Sequence, residues 1–110
     1  MTSVKFLADS KGVYGFTVSG HSSKSCDDET GKIVCSAVSS AVYMAANTVT
    51  DIIGDKVEAE IKDGFMNFKV INPTQSTYIV LNGLKLHLEA LSEDYSNNIR
   101  INGGAKYVKD

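Results

Sequence analysis

The sequence predicts an α+β fold, a two-layer sandwich in which two helices pack on one face of a mainly antiparallel sheet. At two places in the chain, a pair of short alternating segments is joined by a turn signal, as in a β-hairpin. Each pair is followed by a longer segment whose apolar residues recur with helical spacing. With 110 residues, of which 43% are hydrophobic, the chain is expected to be one domain, residues 1–110, in the order β-β-α-β-β-α-β.

The first hairpin is predicted over residues 3–9 and 13–18, joined by a turn at residues 10–12. Its second strand leads directly into Gly20 and His21. We therefore expect His21 where the chain leaves the sheet, a place where a rigid element fixes the backbone and the side chain stays accessible.

A polar segment, residues 22–31, connects this hairpin to the first helix, and its composition is typical of a mobile loop. An apolar stripe with helical spacing starts near Ile33 and ends before Gly54, a helix C-terminal signal. Cys35 is therefore predicted to lie in the first turn of this helix. The stripe comprises Val34, Val38, Ala41, Val42, Ala45, Val49 and Ile52, and it is widened by Ile33, Ala37 and Met44.

The second half of the chain repeats the pattern of hairpin and helix. Its predicted elements are strands over residues 56–62 and 65–71 joined by Asp63-Gly64, a helix over 76–91 capped by Thr74 or Ser76, and a short strand over 99–101. The predicted apolar faces of these elements are Val57, Ala59 and Ile61; Met66, Phe68 and Val70; and Tyr78, Leu81, Leu84, Leu88 and Leu91. Gly83 interrupts the second helix and is a candidate for a close backbone contact.

The charge balance argues against a nucleic-acid partner. The chain has 11 Lys and Arg residues against 13 Asp and Glu, a formal charge of −2, and its cations are scattered. No run reaches the roughly 18 apolar residues needed to cross a bilayer, and residues 1–12 lack the basic start and apolar block of a signal peptide. We therefore expect a cytoplasmic protein with no membrane partner, in which cysteines stay reduced.

His21 and Cys35 have the side chains of a thiol nucleophile and its base, 14 positions apart in the sequence. A loop that folds back over the helix start would bring them together. The unpaired N–H groups and positive dipole end of a helix favour a thiolate, and a nearby imidazolium favours it further. The same N–H groups, that of Cys35 included, are candidate oxyanion donors, and His21 would protonate the leaving amine. The alternative is that Cys35 is a small buried hydrophobe.

A third group that orients the histidine is harder to identify. Asp27, Asp28 and Glu29 lie within loop reach of His21, but acidic loop residues are mostly only solvated.

Three further side-chain types have two interpretations each. Ser39 lies one turn above Cys35 on the same helical face, where it either supports the thiol or permits a tight helix–sheet contact. His87, on the second helix, is expected to be a partly exposed or satisfied structural histidine, and the alternative is a catalytic one. Tyr43 and Tyr78 are expected in the core, although they could also shape an apolar cleft.

A block of residues in this part of the chain resembles the signature of the ribosomal-processing cysteine proteases. It consists of Gly20-His21-Ser22 followed by Ile33-Val34-Cys35-Ser36-Ala37-Val38-Ser39, and the likeness continues through Val42-Tyr43 and Ala46-Asn47. The resemblance extends over the whole chain in length and element order, but only this block is specific.

The resemblance implies a bacterial endopeptidase that needs no cofactor, in which His21 and Cys35 form the catalytic dyad. Gly20, Ser22 and Ser39 would support the site or bind substrate. Members of the family remove a short N-terminal extension from protein number twenty-seven of the large ribosomal subunit, cutting after a hydrophobic motif that contains an aromatic residue. Their partner is thus a peptide segment of a protein, and the family also forms homodimers.

The sequence departs from the family pattern in two places. The family usually has an aspartate just before the Ile-Val-Cys run, where this chain has Lys32. A cation there favours the thiolate but removes a carboxylate from the helix start. Residues 22–31 correspond to the family's mobile segment over the active site, which orders around the peptide. This loop looks long and contains Cys26, which could form a disulfide with Cys35 and silence it.

Two other classes of function compete with the protease. A metal- or redox-sensing module would use His21, Cys26 and Cys35, but this spacing lacks paired C-x-x-C knuckles and needs Asp27 or Asp28 as a fourth ligand. A non-catalytic ribosome-associated binding domain is the third possibility, and the missing basic face argues against it.

Overall fold

The structure, a computed structural model, describes residues 1–20 and 28–103 of the chain. Its elements are β1 (Thr2–Asp9), β2 (Gly12–Ser19), α1 (Glu29–Asn47), β3 (Val57–Lys62), β4 (Phe65–Val70), α2 (Gln75–Asp94) and β5 (Ile99–Gly103). They confirm the predicted α+β class and the predicted order of strands and helices.

The strands form one sheet in the spatial order β3-β4-β2-β1-β5. The pairings β1–β2, β2–β4 and β3–β4 are antiparallel, whereas β5 lies parallel to β1. The sheet is therefore mixed and mainly antiparallel, as predicted. The order places β2 at its centre with β1 beside it, and the start of β1 and the end of β2 lie at the same end of the sheet.

A single hydrophobic cluster contains the inward side chains of the sheet and of both helices, so the helices cover the same face. Its members include Val4, Phe6, Phe16, Val18, Phe68 and Val70 from the sheet, and Val34, Val38, Val42, Leu81, Leu84 and Leu88 from the helices. The rings of Phe16 and Phe68, which are paired across β2 and β4, stack 5.1 Å apart. Burial of each such side chain contributes about 1.5–3 kcal/mol to stability.

The turn between β1 and β2 is attached to α2 by polar contacts. The Asp9 carboxylate accepts hydrogen bonds from the Lys11 amide at 2.9 Å and from the Tyr78 hydroxyl at 2.9 Å. The Asn82 side-chain oxygen accepts one from the Val13 amide at 3.0 Å. Burial of the phenol and, second, the Asp9 contact raise the pKa of Tyr78 to about 12. Tyr78 is buried, as predicted.

The first helix begins earlier than the apolar stripe predicts. Asp28 is its N-cap, and the Asp28 carboxylate accepts a 2.7 Å hydrogen bond from the Gly31 amide. The predicted loop over residues 22–31 is therefore wrong at its C-terminal end, because residues 29–31 belong to α1. A π-helical end, Thr48–Ile53, continues the helix, and Gly54 closes it at φ +86°, as its position predicted.

Several predicted core residues are exposed. Ile33, Met44 and Ile52 have 58%, 65% and 79% of their surface accessible, because the buried face of α1 is narrower than the apolar stripe. Tyr43 is also exposed. Ala59 and Ile61 lie on β3, an edge strand, and face solvent. The prediction that Gly83 permits a close contact is wrong, since a Cβ there would meet nothing within 4 Å.

The start of α2 is fixed by a carboxylate from another element. Thr74 is the N-cap residue, one of the two predicted, but its own side chain makes no capping bond. Instead, the Asp55 carboxylate accepts hydrogen bonds from the Thr74 amide, the Thr74 hydroxyl and the Thr77 hydroxyl, at 2.9, 3.0 and 2.6 Å. The bond from Thr77 is the main reason why the pKa of Asp55 is lowered.

The segment Glu29–Ile53 is long and apolar enough, by length and composition, to cross a bilayer. A helix that lies in the core of a globular domain meets the same criteria. Val34, Val38 and Val42 of this segment are packed in the hydrophobic cluster against the sheet, which accounts for its apolar character.

Candidate active site

Cys35 lies in α1 and its side chain is half-buried. The helix starts at Glu29, so Cys35 is in its second turn and the prediction of the first turn is wrong. Only the first four N–H groups of a helix lack an intrahelical partner, and the dipole effect fades within the first turn. The Cys35 amide is therefore not a free oxyanion donor, and the helix start contributes little to its thiolate.

The sulfur of Cys35 contacts the first strand of the sheet. The Thr2 hydroxyl oxygen lies 3.6 Å from Cys35 Sγ, within hydrogen-bonding reach for the large sulfur atom. Thr2 is only 1% exposed. The Thr2 amide donates to the Asn98 carbonyl oxygen at 2.8 Å, which fixes its backbone just before β1 pairs with β5.

Gly20, the residue before His21, packs against the same point. It has φ +76°, and a Cβ built on it would lie 2.5 Å from the Met1 carbonyl oxygen and 4.0 Å from Thr2 Cα. Its amide donates to the Gly64 carbonyl oxygen at 2.9 Å. Only glycine fits this combination of left-handed backbone and close approach. The chain thus ends β2 beside Thr2, the residue whose hydroxyl lies 3.6 Å from the Cys35 sulfur.

The predicted site residues divide into two groups. Gly20, Cys35 and Ser39 are described by the structure, which brings Gly20 and Cys35 together around Thr2; Ser39 is half-buried one turn after Cys35. His21 and Ser22 lie outside the described residues, so their predicted roles as base and supporting residue remain predictions.

The structure describes two of the three acidic residues that were candidates for orienting His21, and it places them differently. Asp28 caps α1 through its contact with the Gly31 amide, which gives it a structural role. Glu29 is exposed in the first turn of the helix, where a carboxylate stabilises the dipole. Asp27 lies outside the described residues.

Cys35 is disulfide-bonded in this structure. The chain has two cysteines, and the other, Cys26, lies outside the described residues. A sulfur in a disulfide is not a nucleophile toward a peptide carbonyl, because only the thiolate attacks. The chemistry of a cysteine protease therefore requires Cys35 as a free thiol.

The metal alternative depends on residues that the structure does not describe. Within residues 1–20 and 28–103, no group of three or more His, Cys, Asp or Glu side chains could hold a metal ion. The proposed ligands His21 and Cys26 fall in the gap between these ranges, so the alternative stays untested.

His87 lies far from Cys35 on the helical layer. It is exposed and lines an apolar groove of about 580 Å³ between α1 and α2. At 100° per residue, most α1 residues of this groove, including Ala41 and Met44, are about 140–240° around the helix from Cys35. The groove is therefore on the opposite side of α1 from the sulfur, consistent with a structural His87.

Thr2 is the site residue that sequence reasoning missed. The alternation of Val4 and Phe6 on the inward face of β1 extends back to position 2, which would have placed a hydroxyl on an apolar face. A buried polar side chain of this kind needs a partner. That its partner is Cys35, 33 positions away, depends on the packing of α1 on β1.

One comparison connects this chain to a known family of protein sequences. The sequence profile of the family described as cysteine protease Prp matches residues 1–100. A search of proteins with curated functions found no match.

Solved structures with the same fold include two proteins. SMU.848 from Streptococcus mutans superposes with a TM-score of 0.83 at 18% sequence identity, covering 94% of this chain and 96% of that one. The essential ribosomal processing protease Prp from S. aureus, in complex with a substrate peptide, gives a TM-score of 0.83 at 18% identity, covering 94% and 99%. The same protease with a covalently linked product peptide gives 0.78 at 20% identity, with the same coverage.

Proposed function

The chain belongs to the Prp family of cysteine proteases, and we propose that it is an endopeptidase in which His21 and Cys35 form the catalytic dyad. Its substrate is the short N-terminal extension of protein number twenty-seven of the large ribosomal subunit. It cuts after a hydrophobic motif that contains an aromatic residue, as the sequence resemblance implies.

In this proposal, His21 accepts the Cys35 thiol proton and the thiolate attacks the carbonyl carbon of the scissile peptide bond. His21 then donates its proton to the leaving amine as the C–N bond breaks, which leaves a thioester on Cys35. A water molecule, deprotonated by His21, hydrolyses the thioester and restores the thiol. The reaction needs no metal or cofactor.

The observation that carries the proposal is the meeting of Gly20 and Cys35 at Thr2. His21 follows Gly20 directly in the sequence, and Gly20 packs against Thr2, whose hydroxyl lies 3.6 Å from the Cys35 sulfur. This proximity supports a histidine at position 21 as the partner of the thiol.

The ribosomal substrate is supported by the shared fold. The S. aureus protease that superposes on this chain is a ribosomal processing protease crystallised with a substrate peptide. A ribosomal substrate also fits a cytoplasmic protein, and the reducing cytoplasm would keep Cys35 as a thiol. The negative net charge of the chain is consistent with recognition of a peptide instead of RNA.

The test is cleavage of a leader peptide by reduced protein, followed by mass spectrometry of the products. We expect Cys35→Ala and His21→Ala each to lower kcat/KM by at least about 1000-fold. His87→Ala is the matched control, because His87 is the other of the two histidines and lines the groove on the opposite side of α1 from Cys35. This variant should keep most of the activity. Cleavage that persists in Cys35→Ala would refute the proposal.

We also propose that the enzyme is a homodimer, as the resemblance implies, and that the groove between α1 and α2 contributes to the interface. Met44 and Ile79 line this groove and are 65% and 64% exposed. Apolar side chains that are exposed side by side favour contact with another protein surface. The groove lies away from Cys35, so a partner there leaves the catalytic face open.

Sedimentation equilibrium tests the dimer directly. The double variant with Met44→Glu and Ile79→Glu should be monomeric at micromolar concentration if the groove is part of the interface. Leu86→Glu is the control, because Leu86 is 69% exposed on the same helix as Ile79 but does not line the groove. A wild-type protein that sediments as a monomer would remove this part of the proposal.

A further inference from the structure

Thr2, the neighbour of the proposed catalytic cysteine, has a fully buried hydroxyl at the start of the core strand β1. Its exposed fraction is 1%, and the side chain faces the same interior as Val4 and Phe6. A buried hydroxyl without a hydrogen bond costs about 1–3 kcal/mol. The contact that the Thr2 hydroxyl makes with Cys35 Sγ, at 3.6 Å, meets this need.

We infer that Thr2 is a positioning residue for the nucleophile, whose hydroxyl donates a hydrogen bond to the Cys35 sulfur and holds it at the end of β2. This inference rests on the proposed function of Cys35. It assigns a role to a residue outside the block that resembles the family signature.

The direction of the hydrogen bond follows from the chemistry of sulfur. In the disulfide state recorded here, Cys35 has no sulfur-bound hydrogen, so the Thr2 hydroxyl is the only possible donor of the pair. A thiolate also has no hydrogen, and it is a stronger acceptor because it is charged. A Thr2 hydroxyl at this distance from the sulfur would therefore donate to the thiolate and stabilise the reactive, deprotonated form.

The position of Cys35 in the helix makes this donor more important. Cys35 lies in the second turn of α1, whereas the N–H groups that lack an intrahelical partner are in the first turn. Those groups therefore do not stabilise its thiolate. Among the described residues, the charged groups nearest in the chain or the sheet include the ammonium of Met1, which precedes Thr2 and is 51% exposed. Lys32, one turn earlier, is exposed, and Arg100 alternates with buried Ile99 and so lies on the other face of the sheet. His21 is the proposed base.

The test compares Thr2→Val with Thr2→Ser in the reduced protein. Valine has the shape of threonine without the hydroxyl, and serine restores the hydroxyl. The readout is the rate of iodoacetamide alkylation of Cys35 against pH, mapped by peptide mass spectrometry to separate it from Cys26. We expect the midpoint of this profile to rise by about 0.5–1 pH unit in Thr2→Val and to stay near the wild-type value in Thr2→Ser.

Peptide cleavage measured on the same samples should show kcat lower by about 3- to 10-fold in Thr2→Val, with KM nearly unchanged. A Thr2→Val profile that superposes on the wild type would overturn the inference. Circular dichroism confirms folding, and Thr2→Ala supplies the hydroxyl-free comparison if valine is not accepted.

The alkylation profile requires no substrate, so it distinguishes two failures. If the wild type does not cleave the leader peptide but the midpoint still shifts in Thr2→Val, the proposed function fails and the role of Thr2 stands. If the wild type cleaves and the midpoint does not shift, only the role of Thr2 fails.

Discussion

Gly20 and Met1 approach so closely that a Cβ on Gly20 would lie 2.5 Å from the Met1 carbonyl oxygen. The obstacle is backbone, which cannot rotate away as a side chain can. Gly20 also has φ +76°, a conformation that costs other residues roughly 1 kcal/mol. This glycine therefore fixes the backbone at the end of β2, directly before His21 in the sequence.

We expect Gly20→Ala to lower the free energy of unfolding by about 2–3 kcal/mol and kcat/KM by more than about 10-fold, because β2 and the residue after it must shift. Gly54→Ala is the matched control. Gly54 has a similar φ of +86° but open space where a Cβ would go, so only the backbone strain of about 1 kcal/mol should appear. Urea unfolding and peptide cleavage give the two measurements. Equal effects at the two glycines would show that the Met1 contact is unimportant.

Much of the fold could be predicted because the spacing of apolar residues distinguishes strands from helices. The two hairpins have alternating segments with clear turn signals, and Gly64 has the positive φ that its place after Asp63 indicated. The end of α1 was equally clear, since Gly54 closes it in the left-handed conformation. Strands and helix ends of this kind depend on local chemistry, which the sequence contains.

The start of α1 was predicted poorly for a physical reason. Residues 29 and 30 are polar and exposed, so the first turn leaves no apolar signal, and Asp28 is one of several acidic residues that could have been the cap. Because the predicted start of α1 was too late in the sequence, Cys35 was predicted one turn too close to the N-terminus of the helix. This error therefore changed the expected source of thiolate stabilisation.

The sequence proposes Cys35 as the reactive side chain, which stays a prediction, and it gives no indication of the residue that contacts its sulfur. Cys35 is identified by the residues around it in the sequence, whereas its contact with Thr2 joins residues 33 positions apart. Such a contact depends on how α1 lies across β1, which periodicity does not specify. The same holds for Asp55, which caps α2 across 19 to 22 positions.

Asp55 provides a prediction about pH. Its pKa is lowered from 3.8 in the folded protein, mainly by the Thr77 hydroxyl and then the Thr74 amide. A group with a lowered folded pKa stabilises the protein above its unfolded pKa, and this contribution is lost as pH falls through the folded value. We expect Asp55→Ala to lower Tm by about 4–8 °C at pH 7, and the difference to shrink below about pH 4.

Thermal unfolding monitored by circular dichroism between pH 2.5 and 7 measures this difference. Glu58→Ala removes an exposed carboxylate from the edge strand β3 and should leave Tm nearly unchanged at every pH. A constant Tm difference for Asp55→Ala over the whole range would show that the carboxylate charge is not the cause.

Substitution of Lys32 tests whether the lysine matters at the position where the family usually has an aspartate. It is exposed in the fourth position of α1, one turn before Cys35. An aspartate there would stabilise the helix start but would also raise the energy of a nearby thiolate. Because these effects oppose each other at an exposed site, we expect Lys32→Asp to change kcat/KM by less than about 3-fold. Lys32→Gln separates loss of the cation from gain of the anion, and a change of 10-fold or more in either variant would give Lys32 a direct role.

The disulfide at Cys35 leads to a prediction about oxidation. A disulfide sulfur cannot attack a peptide bond, so protein with no free thiol should cleave the leader peptide at least about 100-fold more slowly than reduced protein. Activity should return with the same time course as free thiol, measured with a chromogenic disulfide reagent during dithiothreitol treatment. Cys35→Ala should gain no activity under the same treatment, which excludes a contaminating protease. Full activity in the thiol-free protein would mean that the Cys35 sulfur is not the nucleophile, and the assignment of the dyad would be wrong.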